Sequence, residues 1–354
     1  MIRVVQWSTG NVGRHAIAGI AARPELELVG VWVSDPAKVG VDAGELAGLG
    51  RTLGVAATDD ADALLALEPD CIVHAAMADN RLPEAIADLQ RFLEAGINVV
   101  SSGPVFLQYP EGTVPAEVTD PIRAAAASGG ASLWVNGVDP GFANDWLPLA
   151  LTSVSERIDE LRCFELLDYS TYDNPTVLFD VMGFGKPLDE TPMLLMPGVL
   201  SLAWGSVVRQ LAAGLGVELD EVSETVVRLP APEKFEIASG TIEEGTAAAL
   251  RFEVLGKRAG KAVCVLEHVT RLRADLGPDW PQPAGQGCYR VQITGEPNYT
   301  LDLQLLGTDG DHNTAGLKAT AMRLVNAIEA VVAAPPGLLT ALDLPLVTGR
   351  GLVA

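Results

Sequence analysis

The sequence predicts an α/β protein: a doubly wound parallel sheet in the first part of the chain, and a second α+β domain with a mostly antiparallel sheet behind it. Three observations predict it. Short apolar runs alternate with helical stretches between residues 2 and 135. A Ser-Thr-Gly turn joins the first apolar run to the first helical stretch. Beyond residue 140 the alternation gives way to longer strand-like runs.

Residues 2–7 form a buried-strand run closed by Ser8-Thr9-Gly10. Residues 12–22 place alanine and isoleucine at helical spacing as far as Pro24, and residues 26–33 are a second β-rich run ended by Ser34-Asp35-Pro36. Strand, tight turn, helix and strand make a βαβ unit. The alternation continues with a helix over 62–67, a strand over 71–76 and a helix over 83–95 stopped by Gly96. A strand over 98–101, a helix over 121–127 stopped by Gly129-Gly130, and a strand over 132–135 follow. After the Asp139-Pro140-Gly141 turn, a helix covers 146–154. Strands are expected over 159–167, 223–229, 245–255, 261–272, 289–294 and 299–306, interrupted by helices over 175–181 and 199–215. Residues 277–288, rich in Pro, Gly and Gln, read as a loop. The last helix spans 314–333, capped by Asn313 or Thr314, and ends before Pro335-Pro336-Gly337. At ~100–200 residues per domain, 354 residues divide into two, with ranges 1–140 and 141–313.

The chain carries 24 Lys and Arg against 46 Asp and Glu, a net charge of −22. That balance argues against nucleic acid and anionic membrane surfaces as partners. It leaves an anionic cofactor open, because helix N-terminal N–H groups hold phosphate without lysine. Cys71, Cys163, Cys264 and Cys288 are scattered, with no Cys-x-x-Cys pair and no histidine at zinc spacing. They read as reduced packing cysteines, and no metal is expected. The first strand begins directly at Ile2, and no apolar run reaches the ~20 residues of a membrane helix. The expectation is a cytoplasmic protein.

The most informative feature is Ser8-Thr9-Gly10-Asn11-Val12-Gly13, a G-x-G-x-x-G pattern with serine in the first position. Gly10 would let the backbone approach a pyrophosphate, and Gly13 would let the helix pack close to the strand. The pattern follows a strand and opens a helix, the context of a Rossmann-type dinucleotide site. At the end of the second strand, Asp35 lies where an acidic residue would bind the adenosine ribose and favour NAD. Ser34 with Lys38 could equally hold a ribose phosphate and favour NADP, and Asp35 could simply cap the turn. His74-Ala75-Ala76 and Ser101-Ser102-Gly103 end two further strands at the carboxyl edge, where small residues would leave room for a nicotinamide.

With Val5-Gln6-Trp7-Ser8-Thr9-Gly10-Asn11-Val12-Gly13, four more segments complete a family pattern. They are Val138-Asp139-Pro140-Gly141-Phe142, Met182-Gly183-Phe184-Gly185, Ala321-Met322-Arg323-Leu324-Val325-Asn326-Ala327-Ile328 and Ala334-Pro335-Pro336-Gly337. The chain thus resembles the 2,4-diaminopentanoate dehydrogenase and native amine dehydrogenase family, whose N-terminal domain is dihydrodipicolinate reductase-like. The resemblance implies an NAD(P)-binding first domain and a substrate and dimerisation domain over 141–313. It also implies a C-terminal segment, 314–354, that packs back onto the first domain. It implies a homodimer that reductively aminates small ketones with NAD(P)H and ammonia, or runs the reverse deamination. The family carries a glutamate between the strand that ends at Ser101 and a Tyr-Pro pair, as the base for the ammonia proton. Here Pro104, Val105 and Phe106 fill those positions, and the next carboxylate is Glu111. An apolar group accepts no proton, so the chemistry needs another donor.

Tyr169 and Tyr172, at the end of a second-domain strand, and His268, within Val265-Leu266-Glu267-His268-Val269, are the catalytic candidates. Each could instead be a packing residue. Val105, Phe106, Asp139, Phe142, Asn144 and Trp146 are expected to line the substrate pocket. Three functions remain open: an NAD(P)-dependent amine dehydrogenase, a carbonyl or imine reductase that needs no ammonia, and a non-catalytic NAD(P)-binding regulator.

Overall fold

The computed structural model describes residues 1–78 and 81–353. Residues 79, 80 and 354, inside the expected ranges 1–140 and 314–354, lie outside the described residues. In chain order the strands are β1 (Ile2–Trp7), β2 (Leu26–Trp32), β3 (Ala57–Thr58), β4 (Cys71–His74), β5 (Asn98–Ser101), β6 (Ser132–Val135), β7 (Arg157–Asp168), β8 (Glu221–Pro230), β9 (Phe235–Ile237), β10 (Gly240–Ile242), β11 (Ala247–Arg258), β12 (Lys261–Arg271), β13 (Gly287–Glu296), β14 (Tyr299–Leu303) and β15 (Gly337–Leu339). The helices are α1 (Asn11–Ala21), α2 (Ala43–Leu46), α3 (Ala61–Leu65), α4 (Leu82–Glu94), α5 (Ala116–Gly129), α6 (Trp146–Thr152), α7 (Val199–Gly214) and α8 (His312–Ala333). Two compact units result. One comprises Met1–Pro110, Val114–Val138 and Leu317–Ala354; the other comprises Glu111–Thr113 and Asp139–Gly316. One division thus falls between Val138 and Asp139, and another inside α8.

The first unit is a seven-stranded sheet in the order β15-β6-β5-β4-β1-β2-β3. Every pairing in it is parallel. The order reverses between β1 and β4, and open parallel sheets bind ligands at the carboxyl ends beside such a point. Helix α1 buries Gly13, Ala16, Ile17 and Ile20, the one-face spacing of a helix laid on a sheet. On that face Val4, Cys71, Val73 and Trp134 pack with Leu324, Ile328 and Val331 of α8. On the opposite face Trp7 stacks on Trp32 at 4.6 Å and meets Phe92 of α4 edge-on, also at 4.6 Å.

The second unit is a six-stranded sheet in the order β14-β13-β7-β12-β11-β8. It is antiparallel except where β12 lies parallel to β7. Helix α7 covers one face, burying Val207, Val208 and Leu211 against Leu161, Cys163, Leu250, Phe252 and Leu266. The other face buries Phe164, Leu166, Val269 and Cys288 beneath Trp280.

Several elements differ from expectation. Helix α5 begins at Ala116 and carries Pro121 inside it, although a proline suggests a helix start. Burial of Thr119 and Ile122 holds the extra turn in place. The short strands β3 and β15 and the hairpin β9–β10 have too few residues to show a period. Asp311, rather than Asn313 or Thr314, caps α8: its carboxylate accepts from the Thr314 amide at 2.8 Å and from the Thr314 hydroxyl at 2.6 Å.

Candidate functional site

In the first unit, the turn after β1 is held from behind by Gln6, whose Nε2 donates to the Ser8 carbonyl at 2.9 Å. Ser8 sits at φ +79°, the left-handed backbone that the first glycine of the pattern ordinarily supplies. The two glycines play opposite parts. A Cβ on Gly13 would lie 2.1 Å from the Ser8 carbonyl oxygen, so only glycine lets α1 start this close to the strand. A Cβ on Gly10 would meet nothing within 4 Å, leaving open space at the helix N-terminus. A dinucleotide diphosphate fits that cradle: the helix end offers N–H groups and the positive end of its dipole. Thr9, Asn11 and Val12 complete the turn.

Asp35 accepts from the Ala37 amide at 2.9 Å and caps the short turn Pro36–Lys38. Lys38 Nζ donates to the Thr9 hydroxyl at 3.4 Å, which brings a cation to the glycine turn, and Ser34 is exposed beside it. Further along the edge, the amides of Ala75 and Ser102 extend the ladder by donating to the carbonyls of Trp7 and His74, both at 3.0 Å. Ala76 and Gly103 are buried. The His74 side chain is fully buried. Ser101 Oγ donates to the Gly103 carbonyl at 2.5 Å, so toward His74 it accepts, and His74 Nδ1 carries the proton across 2.9 Å. Burial first, and the Arg81 charge second, push His74 down to about 3, so the ring is neutral. Val105 and Phe106 lie in this unit, in the turn Val105–Gln108, with Phe106 buried.

The second unit gathers a buried charged cluster. Tyr289 on β13, Glu165 on β7, His268 on β12 and Phe252 on β11 are direct register partners, so their side chains form a row across one sheet face. Asp139, where the chain enters this unit, completes it. His268 Nε2 is 3.3 Å from Asp139 Oδ1, and Nδ1 is 3.4 Å from Glu165 Oε1. The imidazole stacks on Phe252 at 4.7 Å, and Trp204 of α7 meets it edge-on at 4.9 Å. The Trp204 indole N–H donates to Asp139 Oδ1 at 3.2 Å, and the Tyr169 hydroxyl donates to Glu165 Oε1 at 3.0 Å. Tyr172 stacks on Tyr169 at 4.9 Å.

Burial opposes charge on His268, but Asp139 and Glu165 outweigh it and push the ring up to about 10. Burial and the Glu165 charge hold the Tyr169 and Tyr289 phenols well above their usual range, so both remain hydroxyl donors. The ligand atoms of Asp139, Glu165 and His268 lie within 4.8 Å of one another. A divalent cation could use that spacing only by displacing the His268 proton. The loop after β7 is pinned by the start of α8. His312 Nε2 and Asn313 Nδ2 donate to the Asp168 carbonyl at 2.7 and 2.9 Å, and the Thr171 hydroxyl donates to Asp311 at 2.6 Å.

Of the residues singled out in the sequence, Tyr169, Tyr172, His268 and Asp139 come together in this cluster. Phe142 and Trp146 stack on each other at 6.1 Å, and Asn144 closes the local turn by accepting from the Gly141 amide at 2.9 Å. Sequence reasoning missed Glu165, Trp204 and Tyr289. Glu165 did carry a signal, a lone carboxylate inside the buried run Cys163-Phe164-Glu165-Leu166-Leu167. Buried glutamate is rare without a partner.

This sheet order, glycine cradle and second sheet define an oxidoreductase of the Rossmann-type dehydrogenase class. The profile of the 2,4-diaminopentanoate dehydrogenase C-terminal domain matches residues 142–351. An amine dehydrogenase of Streptomyces virginiae is 46% identical over 98% of this chain and 97% of its own. The 2,4-diaminopentanoate dehydrogenase of Acetoanaerobium sticklandii is 23% identical over 87% of this chain and 88% of its own. An amine dehydrogenase structure from Mycobacterium smegmatis superposes with a TM-score of 0.80 at 26% identity, covering 99% of this chain and 97% of that one. The chain belongs to the 2,4-diaminopentanoate dehydrogenase and amine dehydrogenase family. No described helix is long and apolar enough to cross a membrane.

Proposed function

We propose that the protein is an NADP-preferring amine dehydrogenase that interconverts a small ketone plus ammonia with the corresponding amine. One observation carries this reading: the buried cluster of Asp139, Glu165 and His268. The cluster sets two acidic side chains against one cationic ring, one acidic group in excess. A buried net charge requires a counter-charge, and an ammonium or alkylammonium ion supplies it. The nearby rings of Trp204, Tyr169 and Tyr172 favour a cation with an apolar substituent.

The bound dinucleotide supplies and accepts hydride. In the reductive direction, ketone, ammonium, NADPH and one proton give alkylammonium, NADP+ and water. The chain's own residues divide the remaining work. Gly10 leaves the space a diphosphate would occupy and Gly13 lets the helix N-terminus reach it, while Lys38 and Ser34 suit a ribose phosphate, which favours NADP over NAD. Asp139 and Glu165 accept hydrogen bonds from ammonium. Glu165 takes a proton from it, freeing the lone pair that attacks the carbonyl. The Tyr169 hydroxyl, already on Glu165, stabilises the carboxylate and can return a proton. Glu165 and Asp139 thereby supply the carboxylate that the stretch Pro104–Phe106 lacks. The family resemblance also supports a homodimer.

The test is NADPH consumption against a panel of small ketones, with and without ammonium. Ammonium-dependent turnover is expected. Turnover that ignores ammonium replaces this reading with a carbonyl reductase, the reading that Val105 and Phe106 favour. Cofactor binding without turnover replaces it with a non-catalytic binding protein. Lys38→Ala should raise the KM for NADPH about tenfold, the loss expected for one ribose-phosphate contact, and leave that for NADH nearly unchanged.

A further inference from the structure

The scheme above employs both carboxylates and leaves the ring between them without a task. We propose that His268 is a positioning residue, a fixed cationic spacer that holds Asp139 and Glu165 apart for the incoming ammonium and takes no part in the proton exchange itself. The proposal rests on the amine reading of the same cluster.

The geometry separates a spacer from a base. A general base needs a free lone pair aimed at the reacting proton. Both His268 nitrogens stand instead within ion-pair distance of carboxylates, at 3.3 Å and 3.4 Å, with the Nε2 contact to Asp139 off the hydrogen-bonding direction. The ring cannot swing to a new partner. Phe252 lies along one side of it, Trp204 stands against it, and the residue is 4% exposed. Its backbone is fixed on both flanks, by pairing with Glu165 on β7 and Phe252 on β11.

The groups facing the ring from the elements around it are Glu165 from β7, Asp139 from the entering turn, Trp204 from α7 and Phe252 from β11. The only charges among them are the two carboxylates. They keep the ring protonated through the neutral range despite its burial. Without that cation, two buried carboxylates would stand in reach of each other and share a proton. They would close on one another and lose the separation that a tetrahedral ammonium needs. Asp139 is braced by Trp204 and Glu165 by Tyr169, so each carboxylate has one neutral donor and one shared cation.

The chain has four histidines, which makes the ring directly observable. The full-length protein, labelled with carbon-13 at histidine Cε1, is titrated from about pH 5 to about pH 9 without substrate. His268 is expected to keep imidazolium shifts across the range. A midpoint near neutral pH, or neutral-ring shifts at pH 7, overturns the proposal even if the protein proves a fully active amine dehydrogenase. Conversely, a fixed imidazolium in a protein that turns over no ketone with ammonium sinks the amine reading by itself. The second measurement is His268→Gln. The expected KM for ammonium rises at least ~10-fold, a larger change than in kcat, and kcat/KM acquires a new ionisation in the neutral range. A fall in kcat of order 100-fold or more, with the ammonium KM intact, is the mark of a lost base and overturns the proposal.

Discussion

Two histidines lie buried on the two sheets of this protein and end in opposite charge states. His74 closes β4 with a serine hydroxyl as its partner. Burial, with the Arg81 charge second, decides its state, and it falls to about 3. His268 is just as buried on β12, but carboxylates flank both its nitrogens, and it rises to about 10. Burial disfavours the charged form in both cases; only an opposite charge within a few ångströms reverses it. The two units follow the same division. The first offers a ligand backbone amides and a short turn, and its buried histidine is neutral. The second buries ionised side chains at the centre of its sheet.

The sharpest way to break the first half of that contrast is Gly13→Ala. Its methyl would press on the Ser8 carbonyl from 2.1 Å, so either the turn or α1 must move. The expected loss exceeds about 4 kcal/mol, with NADP binding abolished, as read by thermal melts and a cofactor titration. Retained melting and retained binding would refute the close-packing argument.

The second half is tested by His268→Leu, which strips the cation from two buried carboxylates. A loss of about 3–5 kcal/mol is expected. His74→Leu should stay within about 1 kcal/mol: Ser101 keeps its Gly103 bonds, and the unpartnered His74 Nε2 disappears. Equal losses in chemical denaturation would show that the two sites do not differ in kind.

The pH dependence separates them again. His268 is raised from 6.5, so its stabilisation is complete below about pH 6.5 and is lost as pH rises toward 10. His74 is lowered from 6.5, so it costs nothing above about pH 6.5. As pH falls toward 3, the unfolded chain binds a proton that the native state refuses. Each limb slopes by at most ~1.4 kcal/mol per pH unit. His268→Gln should flatten the alkaline limb and His74→Leu the acid limb, measured as differences from the parent protein. A variant that flattens the wrong limb reverses the charge assignment.

The smallest effect is Ser8→Gly. Glycine relieves the left-handed backbone at φ +79° but adds freedom to the unfolded chain, leaving a gain of up to about 1 kcal/mol. A destabilised variant would mean that the serine side chain holds the turn.

Much of the first unit was legible because its information is local. The run Ile2–Trp7, the turn through Gly13 and the apolar spacing of α1 name strand, turn and helix without reference to any distant residue. His74 shows where local reasoning stops. Its place at a strand end suggested a ligand edge, while the pleat turns its ring into the core. In the second unit the strands were visible but their partners were not. The parallel pairing of β12 with β7 places Glu165 beside His268, and nothing in either strand encodes that register.

By itself the sequence determined the doubly wound sheet, the glycine cradle and the family, since each is read from short runs of adjacent residues. Only the tertiary structure decided which carboxylates meet around His268. Asp139, Glu165, Trp204 and His268 lie on a turn, two strands and a helix far apart in sequence. Their charge states follow from separations of a few ångströms, a quantity that exists only once the chain has folded.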